Sequence, residues 1–167
     1  MKELPIRKPN RLNQYDYSTS GAYFITVCTK NRKNLFWEKE QEFVGEDIIL
    51  PQNEVNLTKC GKIAQETIEK IPKHYEGITL DSYAIMPNHV HLVLFFDREN
   101  GQMISAPTLS TIIGQMKRVV SKGIGHSVWQ RSFHDHVIRD IYDYEEISKY
   151  VYENPSKWIC DKLYIKE

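Results

Sequence analysis

Apolar residues recur along this chain with two different periods. Ala22-Tyr23-Phe24-Ile25-Thr26-Val27-Cys28-Thr29 is rich in aromatic and β-branched residues, which predicts a strand because such side chains suit a half-buried pleated surface. Beyond Thr58, a residue able to cap a helix, Ile63, Ala64, Ile68 and Ile71 follow helical spacing up to Pro72. Ile78–Ile85 predicts a second strand, and Pro87-Asn88 turns the chain into a third that begins at His89. Leu109, Ile112, Ile113, Met116, Val119 and Val120 form one stripe on a helix expected over Ser110–Lys122, with Gly123 and Gly125 as its stop. Phe133–Ile138 predicts a fourth strand. Tyr142-Asp143-Tyr144 then opens a last helix carrying Ile147, Tyr150 and Val151 and closing at Asn154-Pro155.

The order β-α-β-β-α-β plus a C-terminal helix predicts an α+β fold of ferredoxin-like (RRM-like) type. In it, two helices cover one face of an antiparallel sheet and the other face stays available. Modules that recognise RNA use the same topology. The 167 residues suit a single domain over 1–167. Residues 1–20 are polar and aperiodic and read as an extended basic arm, and residues 34–57, punctuated by Gly45 and Pro51, as a loose hairpin insertion.

Formal net charge is zero, which taken alone argues against a nucleic-acid binder. The distribution changes that picture. From Met1 to Lys33 there are seven bases against two acids, from Glu40 to Leu57 five acids and no base, and from Gln115 to Arg139 five bases against Asp135. Two basic stretches brought to one face would attract phosphates while the molecule stays neutral; scattered solvated charge is the plainer alternative. Apolar runs such as Leu92–Phe96 are too short to cross a bilayer, and Met1–Asn10 is polar with two prolines, unlike a secretion signal. A cytoplasmic location without membrane contact is therefore expected. Cys28, Cys60 and Cys160 are odd in number and form no CxxC pair, which suits buried thiols in a reducing compartment.

The sharpest chemical signal is His89-Val90-His91. Residues two apart on a strand point the same way, so both imidazoles would project from one face. Such a pair is either half of a metal site or two half-exposed sheet histidines. Tyr150 and Asn154 lie four apart on the last helix and share a face. A carboxamide oxygen could complete a metal site, and a phenol one turn away could attack a phosphate held there. Equally, Tyr150 could belong to the core and Asn154 simply end the helix. His134-Asp135-His136 repeats the histidine spacing, but Asp135 alternates to the opposite face. His136 and Arg139 read as DNA contacts or as ordinary polar surface. Lys117, Arg118 and Lys122 occupy the polar side of their helix, either solvated or gripping phosphates. Arg131 and Arg139 flank Trp129 and Phe133, a mixture suited to backbone contact plus base stacking.

Three blocks carry a resemblance: Pro87-Asn88-His89-Val90-His91, Val128–Arg139 and Tyr150-Val151-Tyr152-Glu153-Asn154-Pro155. Together with Arg11–Tyr17 and Thr26–Arg32, they resemble the single-tyrosine HUH transposases, more closely the REP-associated tyrosine transposases. The resemblance implies an enzyme that cuts and rejoins single-stranded DNA beside a hairpin and depends on a divalent metal, Mg²⁺ or Mn²⁺. Carried over, His89 and His91 become the histidine pair, Asn154 the third metal ligand, and Tyr150 the nucleophile that becomes linked to a DNA 5′ end. Asparagine at 154, where insertion-sequence relatives commonly have glutamine, fits the REP-associated pattern. Arg11 and Tyr15, with the basic arm, are implied to reach the hairpin foot or guide bases. The implied assembly is a monomer or a homodimer, since the tyrosine helix could complete its own histidine site or a partner's. The competing readings are a non-catalytic protein that binds structured DNA or RNA, and a small metallohydrolase that uses water.

Overall fold

The computed structural model describes residues 20–38, 55–97 and 107–165. Strand β1 (Gly21–Cys28) leads through Thr29 to the segment around Phe36; then come α1 (Lys59–Glu69) and a short α2 (Ile71–His74). Strands β2 (Ile78–Ile85) and β3 (His89–Phe96), helix α3 (Leu109–Ile124), strand β4 (His134–Ile138) and helix α4 (Ile141–Glu153) complete the order. The four strands form one antiparallel sheet in the order β2-β3-β1-β4. This is the predicted ferredoxin-like arrangement.

Alternation along the strands builds two faces. On β1, Tyr23, Ile25 and Val27 are buried and, with Val90, Leu92 and Leu94 of β3, they face α1 and α3. The other face carries Phe24, Thr26 and Cys28 of β1, opposite Val93, His91 and His89. That face is covered by α4, which lies over β2 and β3. Strand β3 is therefore buried on both sides and reads as a continuous apolar run interrupted only by its two histidines. The β2–β3 register shifts between Leu80 and Ser82. The residue gained there, Asp81, meets the Tyr144 hydroxyl of α4 at 3.0 Å and ties that helix to the sheet edge.

Caps explain the helix boundaries. Thr58 accepts from the Gly61 N–H at 3.1 Å as predicted, and Thr108 caps α3 by accepting from the Thr111 N–H at 3.3 Å. Asp140 does the same for α4, accepting from the Asp143 N–H at 2.9 Å, so this helix starts one residue before the expected Tyr142. Pro72 does not close the first helix. The chain turns at Lys70 and Pro72 occupies the first turn of α2, where its missing N–H costs nothing. Gly123 stays inside α3, and Gly125 alone stops it, at φ +94°. Val119, expected on the buried stripe, is 49% exposed.

The expected arm over residues 1–20 lies outside the described residues except for Ser20, as do residues 39–54 of the expected insertion. The two ends of that insertion pair with each other: Trp37 bridges Leu57, and Glu38 N–H donates to Asn56 O at 3.0 Å. Cys28 alone of the three cysteines is buried; Cys60 is half-buried and Cys160 exposed, and all three are free thiols. Among the described residues, no helix is long and apolar enough to cross a membrane.

Two glycines make opposite predictions. At Gly61 a Cβ would sit 2.3 Å from the Phe36 carbonyl oxygen, whereas at Gly114 it would meet nothing within 4 Å. Gly61→Ala is expected to destabilise the chain by about 1–3 kcal/mol, because backbone must move to relieve the overlap. Gly114→Ala should stabilise it by about 0.5–1 kcal/mol through helix propensity. Urea denaturation of the two variants checks the pair.

Candidate active site

The face covered by α4 holds a cluster of buried polar residues. His89 is 0% and His91 2% exposed, and Asn154 only 4%. The two imidazoles turn their Nε2 atoms toward each other at 2.9 Å. Behind them, His89 Nδ1 meets Asn88 Oδ1 at 2.8 Å and His91 Nδ1 meets Thr26 Oγ1 at 2.9 Å. Asn88 sits at the turn into β3, where its Nδ2 donates to the Leu163 carbonyl at 2.9 Å. Phe24 stacks on His91 with ring centroids 5.1 Å apart. The strand therefore fixes position and its neighbours fix ring orientation.

Helix α4 delivers two further groups to the same point. The Tyr150 hydroxyl lies 3.4 Å from His91 Nε2 and donates to Asp161 Oδ2 at 3.0 Å. One helical turn on, Asn154 Nδ2 also donates to Asp161 Oδ2 at 3.0 Å, while its Oδ1 is buried without a hydrogen-bond partner. The Tyr150 hydroxyl, the Asn154 amide and the two imidazoles thus lie close together within one chain. Tyr150 is 42% exposed rather than buried in the core.

Sequence reasoning missed Asp161. After α4 the chain makes a turn and a single 3₁₀ turn at Trp158–Cys160, then folds back over the histidines. Trp158 packs against His89 at 5.9 Å between centroids, with Tyr164 behind it at 5.2 Å. Leu163 N–H donates to Asp161 Oδ1 at 2.6 Å, which holds the carboxylate toward the site. Ligand atoms of His89, His91 and Asp161 lie within 4.8 Å of one another. Two neutral imidazoles, one carboxylate and an orphaned carboxamide oxygen make a donor set that fits a divalent cation. An unpartnered buried oxygen is costly unless something meets it. Nothing in the spacing or composition of Trp158–Tyr164 singled out Asp161 in the sequence.

Burial sets the protonation states. His89 is pushed down to about 3, first by desolvation and then by the nearby Arg32 charge. His91 is held well below the ordinary value, by desolvation first and then by His89. Both are therefore neutral near pH 7, the form in which nitrogen lone pairs are free for a metal. Tyr150 is pushed up to about 12 by desolvation first and then by the Asp161 carboxylate, so the phenol keeps its proton at rest.

The expected DNA-contact residues divide. Lys117 is turned inward: its ammonium donates to the carbonyls of Gln130, Arg131 and Ser132 at 2.6, 3.3 and 3.1 Å. It holds the loop before β4 instead of standing free on a polar face. Trp129 is 6% exposed and packs against Phe36 at 5.3 Å, so its ring is a core element and offers no stacking surface. Arg118 is exposed and bonds to Gln115 Oε1 at 2.7 Å. Lys122, Arg131 and Arg139 are exposed. His136 on the edge strand pairs with Asp143 at 2.8 Å, and with His134 it points to solvent rather than forming a second metal cluster with Asp135. Arg11 and Tyr15 lie outside the described residues.

No family model matches the chain. An uncharacterised protein of Haemophilus influenzae is 28% identical over 95% of this chain and 93% of its own length. A second Haemophilus influenzae protein, named as a REP-associated tyrosine transposase, is 23% identical over 85% of this chain and 74% of its own. Among solved structures, a REP-associated tyrosine transposase bound to a REP hairpin matches with a TM-score of 0.60 at 19% identity, over 89% of this chain and 74% of that one. The resemblance drawn from the sequence blocks is thus borne out, and the α+β fold is the one seen in that transposase structure.

The neutral histidines make stability depend on pH. Between the ordinary histidine value of 6.5 and the folded value of about 3, the unfolded chain binds protons that the folded chain does not. Stability is therefore full above pH 6.5 and lost as pH falls. Without metal, acidification from about pH 7.5 to about pH 5 should cost about 2 kcal/mol through His89, and His91, shifted in the same direction by burial, adds to the loss. Urea denaturation in chelator at the two pH values measures this, and a His89→Ala/His91→Ala variant should lose most of the difference.

Proposed function

We propose that this chain is a DNA strand transferase of HUH type that cleaves and rejoins single-stranded DNA next to a hairpin through a 5′-phosphotyrosine link at Tyr150. The observation that carries this reading is the approach of the Tyr150 hydroxyl to within 3.4 Å of His91 Nε2 in the same chain. It is supported by the partnerless buried Oδ1 of Asn154 beside them.

His89, His91 and Asn154, with Asp161 adjoining, would hold one Mg²⁺ or Mn²⁺, the choice favoured by a mixed nitrogen and oxygen donor set. When bound, the cation neutralises and orients the phosphate under attack. The chain's own groups do the rest. Tyr150 gives up its phenolic proton, for which Asp161 is the acceptor already in contact, and its oxygen bonds to phosphorus. The P–O3′ bond breaks and the departing 3′ oxygen takes a proton. One phosphodiester has replaced another, so bond energy is retained and a 3′ hydroxyl can reverse the step without a nucleotide cofactor. Strand β3 and helix α4 are rigid elements, which suits a reaction that depends on positioning.

Arg118, Lys122, Arg131 and Arg139 are exposed cations that could neutralise phosphates elsewhere along a bound strand. Because one chain supplies the whole cluster, a monomer suffices for this chemistry. A partner such as the REP hairpin held by the solved relative is the substrate class that this reading assigns.

With a hairpin-bearing oligonucleotide and Mn²⁺, wild-type protein should give a covalent adduct that survives a denaturing gel. Tyr150→Phe should lower adduct formation on the order of a thousandfold or more and leave hairpin binding intact. His89→Ala should abolish cleavage. Undiminished adduct in the phenylalanine variant would place the nucleophile elsewhere, and cleavage without any adduct would favour water as the attacking group.

A further inference from the structure

Each histidine of the pair has one partner behind it, and the two partners differ in kind. Asn88 Nδ2 donates to the Leu163 carbonyl at 2.9 Å. That bond fixes the orientation of the amide, so Oδ1 is the atom facing His89 Nδ1 at 2.8 Å. An amide oxygen only accepts, so His89 carries its proton on Nδ1 and turns a bare lone pair outward from Nε2.

His91 is constrained from the opposite side. Its Nε2 lies 2.9 Å from the bare Nε2 of His89, a distance that two facing lone pairs would not hold. His91 therefore carries its proton on Nε2 and donates it to His89. Its Nδ1 is then an acceptor, and the Thr26 hydroxyl at 2.9 Å donates to it. The Tyr150 hydroxyl directs its own hydrogen to Asp161, and its oxygen, 3.4 Å from His91 Nε2, faces the same N–H. Every proton in this group has a place.

That arrangement suits the pair alone and blocks a cation, because only one of the two Nε2 atoms offers a lone pair. For both to bind one ion, His91 must carry its proton on Nδ1 instead. We propose that Thr26 is a positioning residue for the metal site, its hydroxyl reversing from donor to acceptor so that His91 can exchange tautomers when a divalent cation enters. The exchange moves one proton from Nε2 to Nδ1 of the same ring and leaves the count of bound protons unchanged. A hydroxyl is suited to this because it both donates and accepts. A carbonyl at the same point would hold one tautomer only.

Strand pairing puts Thr26 there. It is the register partner of His91 on β1, so its hydroxyl and the imidazole share a face, and β-branching restricts its rotamers. Removing a group that orients a metal-bound histidine typically weakens metal binding about 10- to 100-fold. Thr26→Val keeps the shape and the strand preference and deletes only the hydroxyl.

The role of Thr26 rests on the metal reading above, and the experiment separates the two. Calorimetric titration with Mn²⁺ is carried out on wild type, His89→Ala, Thr26→Ser and Thr26→Val. In parallel, ¹⁵N-histidine spectra of wild type are recorded in chelator and with saturating Mg²⁺. The expected result is loss of binding in His89→Ala, near-normal binding in Thr26→Ser, and binding about 10- to 100-fold weaker in Thr26→Val. The His91 proton should move from Nε2 in chelator to Nδ1 with Mg²⁺. Should His89→Ala bind like wild type, the metal reading fails and the tautomer exchange with it. If His89→Ala fails to bind while Thr26→Val binds normally, or the His91 tautomer is the same in both states, the role of Thr26 alone is overturned. The wild-type spectra decide the question even if Thr26→Val does not fold.

Discussion

A pair of neutral imidazoles, buried at 0% and 2% exposure and facing each other at 2.9 Å, is the constraint around which one side of this molecule is organised. Burying such groups is tolerable only if every nitrogen has a partner. The surrounding chain supplies them from distant parts of the sequence: Thr26 from the neighbouring strand, Asn88 from the turn, Tyr150 from α4. The tail after α4 adds Asp161, Leu163 and the Trp158 ring. Polar groups crowd into a small volume and find one another, yet Asn154 Oδ1 stays without a partner. Within the histidine cluster it is the one atom left unmatched, and a bound cation would supply its partner.

The fold serves this site by separating two tasks between the two faces of the sheet. Helices α1 and α3 pack on Tyr23, Ile25, Val27, Leu92 and Leu94 and provide the ordinary apolar core. The opposite face gives up part of that burial to hold polar groups under α4. Strand β3 runs between the two, buried on both sides, so the histidines are held from behind by packing and from the front by the tyrosine helix. The Asp81 bulge and its bond to Tyr144 fix the helix at the end away from the chemistry. Asp140 caps its start.

Much of this was legible in the sequence because it follows from period. Alternation in β3 placed His89 and His91 side by side, and helical spacing placed Tyr150 above Asn154. The element order gave the sheet and its helices. What stayed hidden depends on chain returning from a distance. Asp161 lies seven residues beyond Asn154, past a turn that no periodicity describes. Lys117 sits on the polar side of α3 as expected, but residues 130–132 fold onto it and consume its ammonium. Trp129 and Phe133 read as an aromatic surface, and the tilted contact of Trp129 with Phe36 makes the former part of the core instead. Caps at Thr108 and Asp140 show why helix edges shifted by a residue or two: capping geometry, more than apolar spacing, decides where a helix begins.

Strand transfer of the kind proposed requires one divalent cation between the histidine nitrogens, within reach of the Tyr150 oxygen. Crystals of the protein soaked in Mn²⁺ and measured at the manganese absorption edge give the most direct view. The predicted result is a single strong anomalous peak bonded to Nε2 of both His89 and His91, with the Asn154 carboxamide oxygen turned toward it. A peak bound only by surface carboxylates, with the two imidazoles still paired to each other, would contradict it.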